Sequence, residues 1–400
     1  MLTITNLWRS GLLVIIIALL SAPAAAESPL EIQAAMERRY DNNPYRLSNQ
    51  VDNAVTLGTA SRSDTIDRLN IGASADFERS LQRFTLQGDV DKYLYGQFSN
   101  LNHNNINAQS DWLWQFGRAW SGTVGYLWNK QQVGFDQSRG LQPDNRLRRQ
   151  AHFEIKTLPT SNLQLRLSVN HTEERHSLVS MEIYNRNTLH TAAEVRFQTP
   201  LGNAVGVQTL LSDSDLINPQ LISNTAVNNS YTTRGLLAFY VGQWTAASQV
   251  RLEGGYKNVK QVQLKERDFS GWTTRGGYRW SSAITAVTVE AWRDLDLLST
   301  QAASYMLAKG IKVVPVWTIT AKTSAEATLS RSWRTWAGAP PSTTEYSRDD
   351  TLNKMKLALN YVPYDKVDTR IGLETGRQIS NISSVDYNYR VVSLQVSVRY

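Results

Sequence analysis

Apolar and polar side chains take turns along most of this chain. In the last ten residues, VVSLQVSVRY (391–400), Val392, Leu394, Val396, Val398 and Tyr400 share one parity. Val391, Ser393, Gln395, Ser397 and Arg399 share the other. Successive side chains of a strand point to opposite faces. The stretch therefore predicts a strand with one apolar and one largely polar face, ending on an aromatic residue of the apolar face. The same period of two recurs in eighteen segments: 29–40, 66–77, 82–95, 105–116, 120–133, 146–157, 162–174, 185–198, 203–212, 230–241, 246–259, 268–280, 283–295, 303–315, 317–331, 350–362, 366–379 and 387–400. In RLNIGASADFE, for example, Leu69, Ile71, Ala73, Ala75 and Phe77 oppose Arg68, Asn70, Ser74, Asp76 and Glu78.

Soluble sandwiches alternate too, so the connections must decide the class. Short ones such as ERSLQ, FGRAW, LPTSN, TPLGN and YVPYDK alternate with long ones centred on 41–65, 134–146, 213–229 and 332–349. Short turns at one end and long loops at the other is the layout of an outer-membrane barrel, whereas Greek-key connections scatter loop lengths over both ends. Trp120, Trp244, Trp280, Trp317, Tyr361 and the terminal Tyr400 all lie beside a short turn or the chain end. That is where an aromatic girdle at one membrane interface belongs. The expectation is an all-β fold: a transmembrane antiparallel up-and-down β-barrel of about 18 strands, with short periplasmic turns and long extracellular loops. If the short turns are periplasmic, both the last strand and segment 66–77 run toward the periplasm. PLEIQAAMERRY (29–40) must then carry the chain up first and pair with 387–400. Closure removes the sheet edges that lipid does not tolerate.

The first 26 residues carry Arg9, an apolar run over 11–20 and small residues ending in Ala24-Ala25-Ala26. This is a secretory signal-peptide layout, and the run is short for a membrane span. The expected domains are a signal peptide (1–26) and a barrel (27–400). There is no cysteine, while Trp (12) and Tyr (17) are plentiful. A polar overall composition suits a barrel, because only alternate residues meet lipid. The net charge of +7 is spread over the strands, with no basic helix or aromatic-interleaved patch of the kind that docks nucleic acid.

A resemblance sharpens the picture. The pieces YDNNPYRL (40–47), SDTI (63–66), SLQRF (80–84), YLYGQFSNL (93–101), DWLWQFG (111–117) and WSGTVGY (120–126) resemble the EpsL-like family of outer-membrane β-barrels. They cover about the first third of the chain. The resemblance implies a role in synthesis or export of an extracellular polysaccharide. Family pattern favours two acidic residues in the YDNN stretch, where this chain has Asp41 followed by Asn42 and Asn43. The terminal Tyr400 also resembles the C-terminal signal that barrel-assembly machinery reads.

Enzymatic signals are sparse. His103, His152, His171, His176 and His190 form no metal-binding spacing, and no G-x-S-x-G or P-loop occurs. Asn170, His171 and Ser177 supply the residue types of a catalytic triad, but only geometry could make them one. No catalytic residue, metal or cofactor is expected. The parity opposite the lipid face is more informative. It is expected to carry Arg166, Arg234, Arg251, Arg275, Arg279, Lys354, Lys356 and Arg370, with acidic residues such as Glu154, Glu194, Glu253 and Glu374 among them. Such charges either neutralise one another as a rigid wall or form a cationic path for an acidic solute. In TTRGGYRW (273–280), Gly277 sits between Arg275 and Arg279 and leaves room for a ligand.

These readings lead to a non-enzymatic integral protein of the Gram-negative outer membrane. The expected role is a passive conduit exporting a polar or acidic polysaccharide. The alternative is a general or solute-selective diffusion porin without a polysaccharide role. Expected partners are outer-membrane lipid, the glycan, periplasmic export proteins and, during biogenesis, the assembly machinery. Nucleic acid is not expected. Two segments, 41–65 and 331–350, are long enough to fold into the lumen.

Overall fold

The computed structural model describes residues 30–138, 140–222, 224–296, 305–338 and 348–400. The expected signal peptide and the centre of the 331–350 segment lie outside the described residues. Nine strands come first: β1 (Leu30–Asp41), β2 (Asp64–Arg79), β3 (Gln82–Tyr95), β4 (His103–Phe116), β5 (Trp120–Gln132), β6 (Asn145–Thr157), β7 (Leu163–His176), β8 (Arg186–Gln198) and β9 (Ala204–Leu216). A small hairpin follows, made of β10 (Gln220–Ile222) and β11 (Thr225–Val227). The rest are β12 (Tyr231–Thr245), β13 (Ser248–Gln261), β14 (Phe269–Ser281), β15 (Thr285–Asp296), β16 (Tyr305–Thr320), β17 (Thr323–Ala337), β18 (Arg348–Tyr364), β19 (Val367–Ser380) and β20 (Tyr387–Arg399).

All but the hairpin form one 18-stranded antiparallel sheet. Chain neighbours pair throughout, β9 pairs with β12 across the hairpin, and β1 pairs with both β2 and β20. The sheet is thus a closed barrel. The seam runs from Gln33 opposite Arg399 to Asp41 opposite Val391. At its lower end Tyr400 donates its N–H to the Ile32 carbonyl at 2.8 Å and accepts the Ile32 N–H at 2.8 Å. The last residue therefore completes the ladder. Its ring lies over the Lys366 ammonium, 4.4 Å from the centroid.

Register decides which side chains share a face. Ala34, Ile71, Val90 and Ile106 line up across β1 to β4 on the outer surface. Ile71, Val90, Leu165, Leu236, Leu357 and Leu394 are exposed there, as an apolar jacket requires. Trp120, Trp244, Trp280, Trp317 and Tyr361 are exposed on the same surface beside the short turns, where the girdle was expected. The turns are tight. At Gly117, between β4 and β5, φ is +59°, a conformation that costs glycine nothing.

Strands are longer than expected at the loop end. In 331–337, Arg331, Trp333 and Thr335 alternate with Ser332, Arg334 and Trp336, so β17 continues where a loop was expected. Mixed basic and aromatic residues on both parities hid that alternation.

The seam generates a prediction. Deleting Tyr400 removes two backbone hydrogen bonds, about 1 kcal/mol each, and the ring on Lys366. The fraction of protein that assembles into the compact, heat-modifiable form should fall on semi-native electrophoresis, while Tyr400→Phe should keep it.

Candidate functional site

The lumen narrows at the loop end, where two connections turn inward. The first begins at Asp41. Its carboxylate accepts the Asn43 N–H at 2.9 Å and the Arg46 guanidinium at 2.9 Å. Asn43 is almost fully buried. It donates to the Leu47 and Asn388 carbonyls, both at 2.9 Å, and accepts the Leu47 N–H at 2.9 Å. A turn whose polar groups satisfy one another in this way can leave the wall without a desolvation penalty. Asn42 and Asn43 stand where the resembled family favours a second acid, and both act here as hydrogen-bonding residues. Arg46, at φ +54°, lays its guanidinium over the Tyr389 ring, 3.8 Å from the centroid.

Tyr45 points the other way, into a small apolar cluster with Phe98, Leu101 and Phe135. Its ring meets Phe98 at 5.0 Å and Phe135 at 4.8 Å. Burial pushes its hydroxyl pKa up. The expectation that 41–65 folds inward thus holds for its first residues; the rest includes a short helix, Asn53–Leu57, capped by Asp52.

Phe135 belongs to the second inward connection, between β5 and β6. Asp136, next to it, comes within 4.0 Å of Lys354 on β18. Between β5 and β18 stand β4, β3, β2, β1, β20 and β19, so this pair reaches across the lumen. The base of the loop is fixed by Asp144, which is fully buried. Its carboxylate accepts His176 Nδ1 at 2.5 Å and the N–H groups of Ser177 and Leu178 at 3.1 Å. Burial alone would raise the Asp144 pKa; the His176 and backbone hydrogen bonds outweigh it and hold the group below the usual carboxylate range.

Between the two connections lies a cavity of about 280 Å³. Tyr93 and Tyr95, His103, Tyr387 and Tyr389 supply rings; Arg39, Arg46 and Lys354 supply cations; Asp41, Asp136 and Glu374 supply anions. The three acids are engaged, with Arg46, Lys354 and Lys356 respectively. Glu374 also accepts the Tyr389 hydroxyl at 2.6 Å. Arg39 differs: among the described residues it makes no ion pair, and its buried Nε has no hydrogen-bond partner. Tyr389 can lie flat on the wall because residue 376 is glycine, where a Cβ would collide with the ring.

Below this level the expected basic residues fall as follows. Arg166 reaches Glu194 at 3.2 Å and Glu154 at 3.5 Å. Lys356 pairs with Glu374 at 2.9 Å, Arg275 with Asp294 at 3.4 Å, and Arg251 with Glu253 and Arg370 with Glu326 at 3.9 Å. Most of these cations therefore belong to a paired wall. Arg279 makes no ion pair among the described residues. Arg251 stands opposite Gly277, with Arg275 and Arg279 two positions to either side. A Cβ at Gly277 would touch only the Arg251 carbonyl, at 3.9 Å, so the three arginines frame open space.

Arg234, expected in the lumen, faces outward instead. It pairs with Leu211 and Asn258 on the outer surface and is exposed there. Its strand, GLLAFYVG, is apolar on both parities, so alternation could not orient it. The inward parity is taken by Phe239, whose ring covers Gly206 and lies 5.2 Å from the Arg196 guanidinium carbon. Asn170 and His171 face opposite sides of β7, one in register with His152, the other with Ala151, so they form no triad. Asp136, Arg39 and the tyrosines escaped the sequence reading. Asp136 lies in a loop without periodicity, and only barrel closure brings it to Lys354.

No protein-family model matches the chain, and no curated protein does. Solved structures share its architecture. OccK1 (OpdK) of Pseudomonas aeruginosa superimposes with a TM-score of 0.53 at 8% identity, covering 93% of this chain and 99% of that one. OccK2 (OpdF) of the same organism gives 0.53 at 7%, over 92% and 98%. A BenF-like porin from Pseudomonas fluorescens Pf-5 gives 0.52 at 8%, over 93% and 99%. OpdK has also been solved with vanillate. At such identities the likeness is one of fold. A closed antiparallel 18-strand barrel with an apolar jacket is an integral protein of the Gram-negative outer membrane, and this chain is one.

Two outcomes are expected at the constriction. Gly376→Val should displace Tyr389 and loosen Arg46, raising single-channel conductance in planar bilayers without loss of the folded barrel. The Asp144 clip has a pH sign. Its folded pKa is depressed, so its stabilisation is present above the ordinary carboxylate range and is lost as pH falls through the folded value. Acidification below about pH 4 should open the 133–144 loop to protease, and Asp144→Ala should open it at neutral pH.

Proposed function

We propose that the protein is a solute-selective diffusion pore, and that its preferred solutes are small anions with a carboxylate and an apolar or aromatic body. The observation that carries this reading is the constriction: an aromatic-lined cavity of about 280 Å³ in which the acids are engaged and Arg39 has no ion-pair partner among the described residues. A guanidinium with free donors suits a carboxylate, and rings suit the body behind it. The arginine frame around Gly277 supplies a second cationic station lower in the lumen. The co-structure of OpdK with vanillate, an aromatic carboxylate, lends the reading an analogy of fold and not of residues.

Export of a polysaccharide, the role implied by resemblance, finds less support. Two inward connections, one joined by an ion pair to the far wall, suit a small solute better than a threading polymer. A deletion strain with unchanged surface polysaccharide would agree with this preference.

In planar bilayers under a salt gradient, the reversal potential should indicate modest anion selectivity. Arg275→Glu with Arg279→Glu should move it toward cations, since lumen charges are screened less than exposed ones. Arg39→Gln should slow vanillate uptake into proteoliposomes several-fold while leaving uptake of a neutral sugar unchanged. A cation-selective wild type, or equal uptake of both solutes by wild type and variant, would remove the basis for the proposal.

A further inference from the structure

The outer surface carries an arrangement that the pore does not use. On adjacent strands β15 and β16, Arg293 stands directly opposite Lys309. Like charges in directly opposed positions destabilise a sheet. On β17, Arg331 lies one outward position below Trp333, the partner of Lys309, and its guanidinium carbon is 5.1 Å from that ring. Three cations thus share one outward patch on three consecutive strands. None of them makes an ion pair among the described residues, and no acidic residue occupies the outward parity of β14 to β17 there. Arg293 spends one donor on the Trp272 carbonyl, and the rest of its fork has no ion-pair partner among the described residues. Trp272 and Trp333 are both exposed beside the patch.

The height of the patch matters as much as its charge. Trp317 marks the girdle beside the short turns, and Lys309 lies eight residues further along the same strand. At about 3.3 Å per residue and a tilt of about 40°, that is roughly 20 Å above the girdle. An outer-membrane apolar band is about 25 Å tall. The three cations therefore stand at its loop-side edge, where outer-leaflet headgroups begin. Indoles prefer this level as well.

We infer that Arg293, Lys309 and Arg331 form a binding site for a phosphate-bearing headgroup of an outer-leaflet glycolipid. A phosphate between Arg293 and Lys309 turns their repulsion into two charge-assisted contacts, and guanidinium matches phosphate bidentately. Arg331 reaches the same headgroup by extending upward along Trp333. The acyl chains then lie on the apolar jacket below, against residues such as Ile311 and Val313. This site is independent of what passes through the lumen.

The test uses the full-length protein in detergent micelles and native mass spectrometry. The probes are lipid A with two phosphates, the same lipid without phosphate, and inorganic phosphate. The wild type should retain bisphosphorylated lipid A and bind the dephosphorylated lipid far more weakly. Arg293→Gln with Lys309→Gln and Arg331→Gln should weaken the phosphorylated lipid by roughly 100-fold, at about fivefold per charge near a membrane surface. Equal retention by wild type and triple variant, or indifference to phosphate, would overturn the assignment. So would displacement of the lipid by millimolar inorganic phosphate, which would make this a site for a free ion. Should the triple variant fail to assemble, single substitutions decide. Lys309→Gln must weaken binding and Lys309→Arg must keep it; a loss of the same size in both would show that the charge is not what the lipid reads.

Discussion

A backbone amide in hydrocarbon has no water to turn to, and the whole structure answers that constraint. Each unsatisfied N–H or C=O in lipid costs several kcal/mol, so a sheet crossing the membrane must have no edge. The β1–β20 seam provides this. It joins residues 350 to 368 positions apart through a ladder that ends in the mutual hydrogen bonds of Ile32 and Tyr400. Once the ladder closes, every strand of the large sheet has two neighbours. The jacket and the wall then follow from which way each side chain points.

Closure also creates the interior, and the interior imposes a rule of its own. Charges placed in a confined lumen need partners or water. Most of the inward basic residues found partners on their own or adjacent strands, as Arg166 did with Glu194 and Lys356 with Glu374. Such pairs stiffen the wall and leave little net charge behind. Inward cations without an ion-pair partner among the described residues include Arg39, Arg146, Arg148, Arg279 and Arg334. The inward turn at Asp41–Leu47 obeys the same rule by another route. Asn43 absorbs the polar groups that leaving the sheet would otherwise orphan.

Glycine and aromatic residues work together in this barrel. Tyr389 lies on Gly376, Phe239 on Gly206 and Trp292 on Gly310, each ring filling the space that a missing Cβ leaves. This lets large rings pack flat against a strongly curved wall, and at Tyr389 it sets the platform on which Arg46 rests. Outside, the same alternation leaves basic residues at the loop-side edge of the apolar band, where Arg293, Lys309 and Arg331 make no ion pair among the described residues.

Much of this could be read from residues in order. Alternation set the strand count, the first and last partners, the apolar jacket and the outward side of Trp120, Trp244, Trp280, Trp317 and Tyr361, because a period of two is a local property of extended chain. It oriented Arg166, Arg251, Arg275, Arg279, Lys354, Lys356 and Arg370 inward for the same reason. It misplaced Arg234, whose strand is apolar on both faces; only registry with Leu211 and Asn258 assigns the outward side. The ion pair of Asp136 with Lys354, the cavity it closes and the opposition of Arg293 to Lys309 were decided by tertiary structure alone. Pairing register and barrel closure bring together residues that no local period relates, and a side chain's partner is a matter of distance in space.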